Sequence, residues 1–301
     1  MPEHQADPDQ KWVILVHGGA KTIPPEQADA HRRGCLEALQ AGRTVLELGG
    51  RAVDAVETAI RVLESDPTFN AGYGSVLTTD KQIEMDSGLM DGETLDVGAV
   101  AGIRGVTHPV SVARMLLPEE RTLLQGDGAR RFAQEHHAEL CAPDALITEE
   151  RLKEASDTVG CVALDVWGHL AAGTSTGGLD GQPPGRVGDS PLAGCGFYAE
   201  DGSGAVALSG DGERITRFML SGRVMAAMNS GDPSVIMGTV ATAMRERVGG
   251  EVGGVVIDGT GVPGWAHTSD HFAVAYETSS MHGPAMYLSK QEEQEAAHGA
   301  P

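Results

Sequence analysis

The sequence predicts an α+β fold in which stacked β-sheets are covered by helices, and three observations predict it. Apolar strand patterning falls into two blocks, one ahead of residue 104 and one after residue 157. Stretches with helical spacing are grouped beside those blocks, and strand does not alternate with helix as a doubly wound parallel sheet requires. A chain of 301 residues, 41% hydrophobic and 22% charged, has the composition of a globular protein with a sizeable core, here read as one domain over 1–301.

The elements follow in order. "KWVILVHGGA" opens as a buried strand running into a glycine turn. Residues 25–48 read as a helix, and a second is marked by Val53, Val56, Ile60 and Leu63 at helical spacing, ending before Pro67. "DPTFNAGYGSVLTTDKQIEMDSGLMDGETLDVGAVAGI" alternates short apolar runs with Asp and Gly turns, as a meander of strands does. His108 and Pro109 precede a helix through Leu117. Residues 118–157 are polar and mixed, part helix and part exposed linker. Beyond them come a hairpin, the strand "GAVALSGDGE", a long helical region from Arg214 to about Arg247 broken at Gly231 to Pro233, and three closing strands through Leu288. "KQEEQEAAHGAP" reads as a disordered tail.

Composition excludes several functions. A net charge of -21 without a run of Lys and Arg argues against nucleic acid and against long-range attraction of anions. No stretch has the apolar length of a membrane span, and the opening MPEHQADPDQ lacks a signal-peptide core. Cys35, Cys141, Cys161 and Cys195 show no metal-ligand spacing and are too sparse for a disulfide framework, so a reducing cytoplasm is the expected compartment.

Glycine stands out, at 41 residues, and it gathers in short clusters that let backbone groups approach a ligand. The stretch "SDTVGCVALDVWGHLAAGTSTGG" reads as a hairpin turning at Trp167 and Gly168, which sets Thr158 opposite Thr176 or its neighbour. Side chains so paired have Cβ atoms about 5 Å apart. Ordinary cross-strand threonine pairing explains this as well as chemistry does.

A serine-esterase reading of Ser175 within "GTSTG" fails, because "GLDGQPPGRVGDSP" follows where a nucleophile elbow needs a helix. Cleavage just before Thr158 would instead expose an α-amine of pKa near 8 beside its hydroxyl, giving nucleophile and base on one residue. Asp157 would then put a carboxylate at the scissile bond, as a local base or a source of strain. "PGRVGDSP" sets Arg186 and Asp189 three residues apart, an arrangement suited to an amino-acid head group or to a weak surface ion pair. Asn70 in "FNAG" could donate to an oxyanion, or only tolerate a tight turn. Ser209 and Asp211 lie among glycines at a strand end, where Asp211 would oppose an anion unless it points away. His136, His137, His267, His271 and His282 form no metal motif and receive no catalytic role.

Taken together and in order, "VHGGA", "LESDPTFNAGYGSVLT", "MDGETLDVGAVAGI", "DTVGCVALD", "GTSTGG", "GRVGDSPLAGCGFYA" and "SGDGE" resemble the plant-type asparaginase and isoaspartyl aminopeptidase family of threonine-type N-terminal nucleophile hydrolases. The resemblance implies a four-layer αββα sandwich, cleaved by itself between Asp157 and Thr158. It divides the chain into an α-subunit 1–157, with a linker at about 134–157, and a β-subunit 158–301, with a tail at about 290–301, two such units forming a homodimer. It implies hydrolysis of L-asparagine and β-aspartyl dipeptides, with Thr158 as nucleophile, Thr176 as a supporting hydroxyl, and Asn70 in maturation and site architecture. Arg186 would anchor the α-carboxylate and Asp189 the α-ammonium, with Ser209 and Gly210 near the acyl group and Gly212 near the head group.

No cofactor is implied for catalysis. The carbonyls of Leu63, Glu64, Asp66, Phe69, Ala71 and Tyr73 would hold a structural Na+. Three departures from the family pattern bear on rate and preference: serine at 209 where threonine is usual, aspartate at 157 where plant-type members usually have glycine, and a short linker together with the added negative charge of Asp211 near the site. The alternatives are a glycosylasparaginase-like amidase, disfavoured by "GTSTGG", and an amino-acid binder that never matures.

Overall fold

The computed structural model describes residues 11–142, 144–147 and 157–299. The opening ten residues, most of the expected linker after residue 147, and the last two residues lie outside the described residues.

Among the described residues the strands form one eight-stranded and one four-stranded sheet. The centre of the larger sheet is β1 (Val13–Lys21), β5 (Val159–Leu164) and β6 (Leu170–Thr176), joined antiparallel. β2 (Met85–Asp91) pairs with β6 and with β3 (Val97–Ile103), and β4 (Leu123–Gln125) adds a parallel edge. β11 (His271–Thr278) and β12 (Ala285–Tyr287) complete the other side. β7 (Phe197–Glu200), β8 (Gly204–Gly210), β9 (Val252–Asp258) and β10 (Pro263–His267) form the smaller sheet as an antiparallel meander.

Three apolar layers hold these parts together. β1 is buried along almost its whole length because both its faces are covered, and its side chains alternate between two cores. Ile14 and Val16 face α1 (Pro25–Glu47) and α2 (Ala52–Ser65), whose buried stripes include Leu39, Leu46, Val56 and Ile60. Val13 and Leu15 face the smaller sheet, in one cluster with its Phe197, Ala207 and Val255 and with Phe272 of the neighbouring β11. The outer face of the smaller sheet is covered by α5 (Gly212–Phe218), α6 (Leu220–Ala227) and α7 (Pro233–Val248), through Val206, Leu208, Ile215, Val224 and Met237. A fourth cluster packs α3 (Pro109–Leu116) and α4 (Gly126–Glu135) on β2 and β3.

Local signals fix three of the helix starts. Proline starts α1, α3 and α7, where its missing N–H is harmless, and the Asp232 side chain caps Val235 at the start of α7. α2 begins differently: its Ala52 amide donates to Asp165 Oδ2 at 2.9 Å, a cap supplied from across the fold.

Four readings are corrected. The expected meander holds only from Met85 onward; residues 66–84 form a loop around a short 3-10 turn at Gly72–Gly74, tied by Asn70, Asp66 and Thr78 side chains instead of ladder bonds. The helical region after Arg214 breaks additionally at Met219, which sits in a left-handed conformation. The closing strands number four, among the described residues, because the short β12 joins the sheet edge. The expected disordered tail is a helix, α8 (Lys290–Gly299). Glu293 anchors it, accepting from Trp265 Nε1 at 2.9 Å and Tyr276 Oη at 3.2 Å, while Lys290 lies 4.0 Å over the Trp265 ring.

Glu293→Ala removes both of those acceptor contacts and is expected to destabilise the protein by about 1–3 kcal/mol. Thermal unfolding would show it as a midpoint lowered by a few degrees, and an unchanged midpoint would mean that α8 only rests on the surface.

Candidate active site

The hairpin register is β5 on β6 with Val159 opposite Ser175, which carries Thr158 to the position facing Thr176. Both threonines are buried at the mouth of the hairpin. Asp157, one residue upstream, turns into a pocket of donors. Its carbonyl oxygen accepts from Asn70 Nδ2 at 3.0 Å and from Thr176 Oγ1 at 3.0 Å. Its carboxylate pairs with Lys21 at 2.5 Å, and its Oδ1 accepts from the Asn70 amide at 3.3 Å.

Asn70 is fully committed, since Nδ2 also donates to the Gly178 carbonyl at 2.7 Å and Oδ1 accepts from the Val76 amide at 3.0 Å. The 66–84 loop is thereby locked onto the end of β6. Ser209, at the end of β8, accepts from the Thr158 amide at 3.1 Å and from the Ala20 amide at 3.0 Å, so it faces the nitrogen of the 157–158 peptide bond. Thr176 therefore contacts the carbonyl of that bond, while the Thr158 hydroxyl lies 3.1 Å from Ser190 Oγ.

These groups open onto a small cleft lined also by Arg186, Asp189, Gly210 and Gly212. Arg186 does not bridge to Asp189. Its Nε and Nη2 donate to Glu213 at 2.8 and 2.9 Å. Asp189 is buried with Oδ2 lacking any hydrogen-bond partner, and burial pushes its carboxyl up to about 7 against the opposing pull of its own backbone amide and of Arg186. Gly212 is needed for close approach, because a Cβ there would come within 2.9 Å of Asp189 Oδ1 and 3.1 Å of Arg186 Nη2. Asp211 does point away: Oδ2 accepts from the Glu251 amide at 2.8 Å.

Several residues beside the cleft escaped the sequence reading. Lys21 directly follows "HGGA", and Ser190 directly follows Asp189, so adjacency to a recognised motif was the available signal for each. Asp86 on β2 lies across from Thr176, and burial pushes its carboxyl up to about 6 despite the Gly102 and Gly188 amides and Arg186. His17 is buried with neither ring nitrogen hydrogen-bonded, and burial drives it down to about 3, so it is neutral beside Asp157. His17 opens "HGGA" itself, though its burial left no trace there, and nothing in the sequence marks Asp86. Ser175 is no nucleophile; its hydroxyl donates inward to Glu64 Oε1 at 2.6 Å.

Among the described residues no group of three His, Cys, Asp or Glu side chains could hold a metal. The backbone loop 63–73 is a different kind of cradle. The carbonyls of Leu63, Asp66 and Ala71 each accept one long amide bond, from Asp66, Phe69 and Gly74 at 3.3, 3.2 and 3.1 Å, which leaves a second lone pair on each. A Cβ at Gly72 or Gly74 would collide with the carbonyl oxygen of Glu64 or Phe69, so the loop backbone packs closely on itself there. This donor set fits a hard cation.

The two packed sheets and their covering helices define a mixed α/β protein with buried hydroxyls gathered around Thr158. Its particular family follows from comparison: the asparaginase family model matches residues 10–157 and 152–286, and the chain belongs to that family. The isoaspartyl peptidase/L-asparaginase of Danio rerio is 40% identical over 273 residues, covering 84% of this chain and 87% of its own. Those of Rattus norvegicus and Xenopus laevis are 39% and 40% identical, covering 88% and 82% of this chain and 86% and 85% of their own. No helix among the described residues is long and apolar enough to cross a membrane.

Glu64 links three elements, accepting from Ser175 and from the Val110 amide at 3.0 Å, and burial pushes its carboxyl up to about 8. A carboxyl raised in the folded state binds protons that the unfolded state releases, so its stabilising effect fades as pH rises from about 4.5 toward 8. Glu64→Gln keeps the acceptor without the charge; it should match the wild type near pH 5 and exceed it at pH 8 in chemical denaturation. Glu64→Ala should be less stable at both, and a Gln variant that loses stability at pH 8 would sink this account.

Proposed function

We propose that this chain is an amidohydrolase that matures by cleaving itself before Thr158 and then hydrolyses L-asparagine and β-aspartyl dipeptides. The observation that carries the proposal is the arrangement around the 157–158 peptide bond: its carbonyl faces two donors, Asn70 and Thr176, and its nitrogen faces Ser209.

In the intact chain, attack of Thr158 Oγ1 on the Asp157 carbonyl carbon would form an ester and break the C–N bond, with the proton passing to the departing amine. Asn70 Nδ2 and Thr176 Oγ1 already point at the oxygen on which negative charge develops, so they need no reorganisation. Water then opens the ester, leaving residues 1–157 with a new carboxylate and Thr158 with a free amine. Departing residues vacate the side of the cleft occupied by Asp157, and a substrate amide takes that place.

In the mature protein Thr158 Oγ1 attacks the side-chain carbonyl of the substrate and its α-amine carries the proton to the leaving ammonia or amino acid. Water releases aspartate from the acyl-enzyme. Arg186 is suited to the α-carboxylate, and the unpartnered Oδ2 of buried Asp189 to the α-ammonium, whose charge would also favour the ionised carboxyl. Gly210 and Gly212 shape the floor. Selection thus rests on the aspartyl head, which leaves the identity of the leaving group open. The names of the 36–40% identical relatives support the same pair of substrates.

The order of core layers supports a four-layer αββα sandwich of the N-terminal nucleophile type. A Na+ held by the carbonyls of Leu63, Glu64, Asp66, Phe69, Ala71 and Tyr73 would brace the loop that carries Asn70, with no part in the chemistry. A cytoplasmic homodimer of cleaved units is part of the same proposal.

Intact mass spectrometry of purified protein should find two fragments, 1–157 and 158–301, and a single chain for Thr158→Ala. A wild-type chain that stays whole overturns self-cleavage. Lys21→Met leaves the buried Asp157 carboxylate without its cation and is expected to slow the appearance of the fragments. In the mature enzyme, KM for L-asparagine should rise as pH falls through about 7, where Asp189 takes up a proton. Asp189→Asn should flatten that dependence while raising KM throughout.

A further inference from the structure

Arg186 is surrounded by more carboxylates than it can serve. Asp86, Asp189 and Glu213 all feel its charge, and two of them, Asp86 and Asp189, are buried beside it. A free guanidinium in that setting would be drawn onto Asp189, whose Oδ2 has no partner, and the pair would close on itself. The structure instead shows Arg186 gripped through one edge, with Nε and Nη2 on the two oxygens of Glu213 at 2.8 and 2.9 Å. Glu213 stands outside the cleft with its side chain 57% exposed, whereas Arg186 is 12% exposed and lines it. The end of the guanidinium is left over, where Nη1 makes only a long contact of 3.4 Å to Gln182 Oε1.

We infer that Glu213 is the positioning residue of the substrate site: it holds Arg186 by the Nε–Nη2 edge, keeps it from bridging to Asp189, and so leaves both anchors separately open to the carboxylate and the ammonium of one aspartyl head. This rests on the reading of the cleft as an aspartyl site. The bidentate fork is what makes the device work, because two parallel hydrogen bonds fix the plane of the guanidinium where one would let it swing. Glu213 is the second residue of α5, in its first turn and directly after Gly212, so the clamp is tied to the same backbone as Gly212.

The test is steady-state kinetics on matured wild type, Glu213→Gln and Glu213→Ala with L-asparagine, together with calorimetric titration of each by L-aspartate and a thermal melt. Glu213→Ala is expected to raise KM and weaken L-aspartate by about tenfold or more, with the loss in KM instead of kcat, and Glu213→Gln to fall between. An unchanged KM would overturn the inference by making Glu213 a bystander. A lowered KM would overturn it by making Glu213 a competitor that occupies the place of the substrate carboxylate. A matching fall of kcat and melting temperature would reduce it to a general structural contact and overturn it as well. Wild type that binds L-aspartate but hydrolyses nothing would refute the amidohydrolase reading while the titrations still decide Glu213; wild type that binds no aspartate would refute both.

Discussion

The fixed position of the Asp157 carbonyl is the constraint on which the rest of the site depends. Two donors from separate parts of the chain meet on it, Asn70 from the loop after α2 and Thr176 from the end of β6. Because Asn70 spends its remaining hydrogen-bonding capacity on Gly178 and Val76, it cannot reorient without breaking the junction between loop and sheet. The peptide plane before Thr158 is therefore set by the core itself. Burial of Ile14, Val16 and Val159 in one layer and of Leu15, Val162 and Phe272 in the next holds β1 and β5 in register, and the register in turn delivers Thr158 to the donors.

Electrostatics works against this arrangement and is contained locally. A chain of net charge -21 offers no general attraction to the carboxylate of an amino acid. The cations near the cleft are single and already engaged by carboxylates, Arg186 by Glu213 and Lys21 by Asp157. The raised carboxyls of Asp86 and Asp189 are the counterpart: each is disfavoured as an anion by burial, and each lies within the influence of Arg186. Placing Glu213 on the solvent side gives Arg186 a partner whose own charge stays hydrated, which spares the cleft a further buried carboxylate.

How much could be read in advance varies with the range of the interaction involved. The hairpin register was legible to within one residue, because a tight turn at Trp167 and Gly168 counts residues outward in pairs; the ladder, with Val159 opposite Ser175, chose between the two possibilities. The stripes of α2 and the proline starts of α1, α3 and α7 were legible for the same local reason. The loop 66–84 was misread as strands because its alternating apolar residues satisfy the strand period while its backbone is held by side chains from elsewhere. The tail was misread because a polar, acidic helix gives no periodic apolar signal; it is held by two carboxylates, Glu293 under Trp265 and Tyr276 and Glu292 on Arg32 and the Leu288 amide.

By itself the sequence determined that Thr158 lies opposite Thr176 or its neighbour, that glycines surround them, and that Arg186 and Asp189 share one turn; turn geometry and strand periodicity act within a few residues and need no partner. Only the tertiary structure decided that Arg186 pairs with Glu213, that Thr176 faces a carbonyl while Ser190 faces the Thr158 hydroxyl, and that Lys21, Asp86 and His17 crowd the same place. Those choices depend on which charges lose their water when two sheets close over them, and that desolvation exists only once distant segments have met.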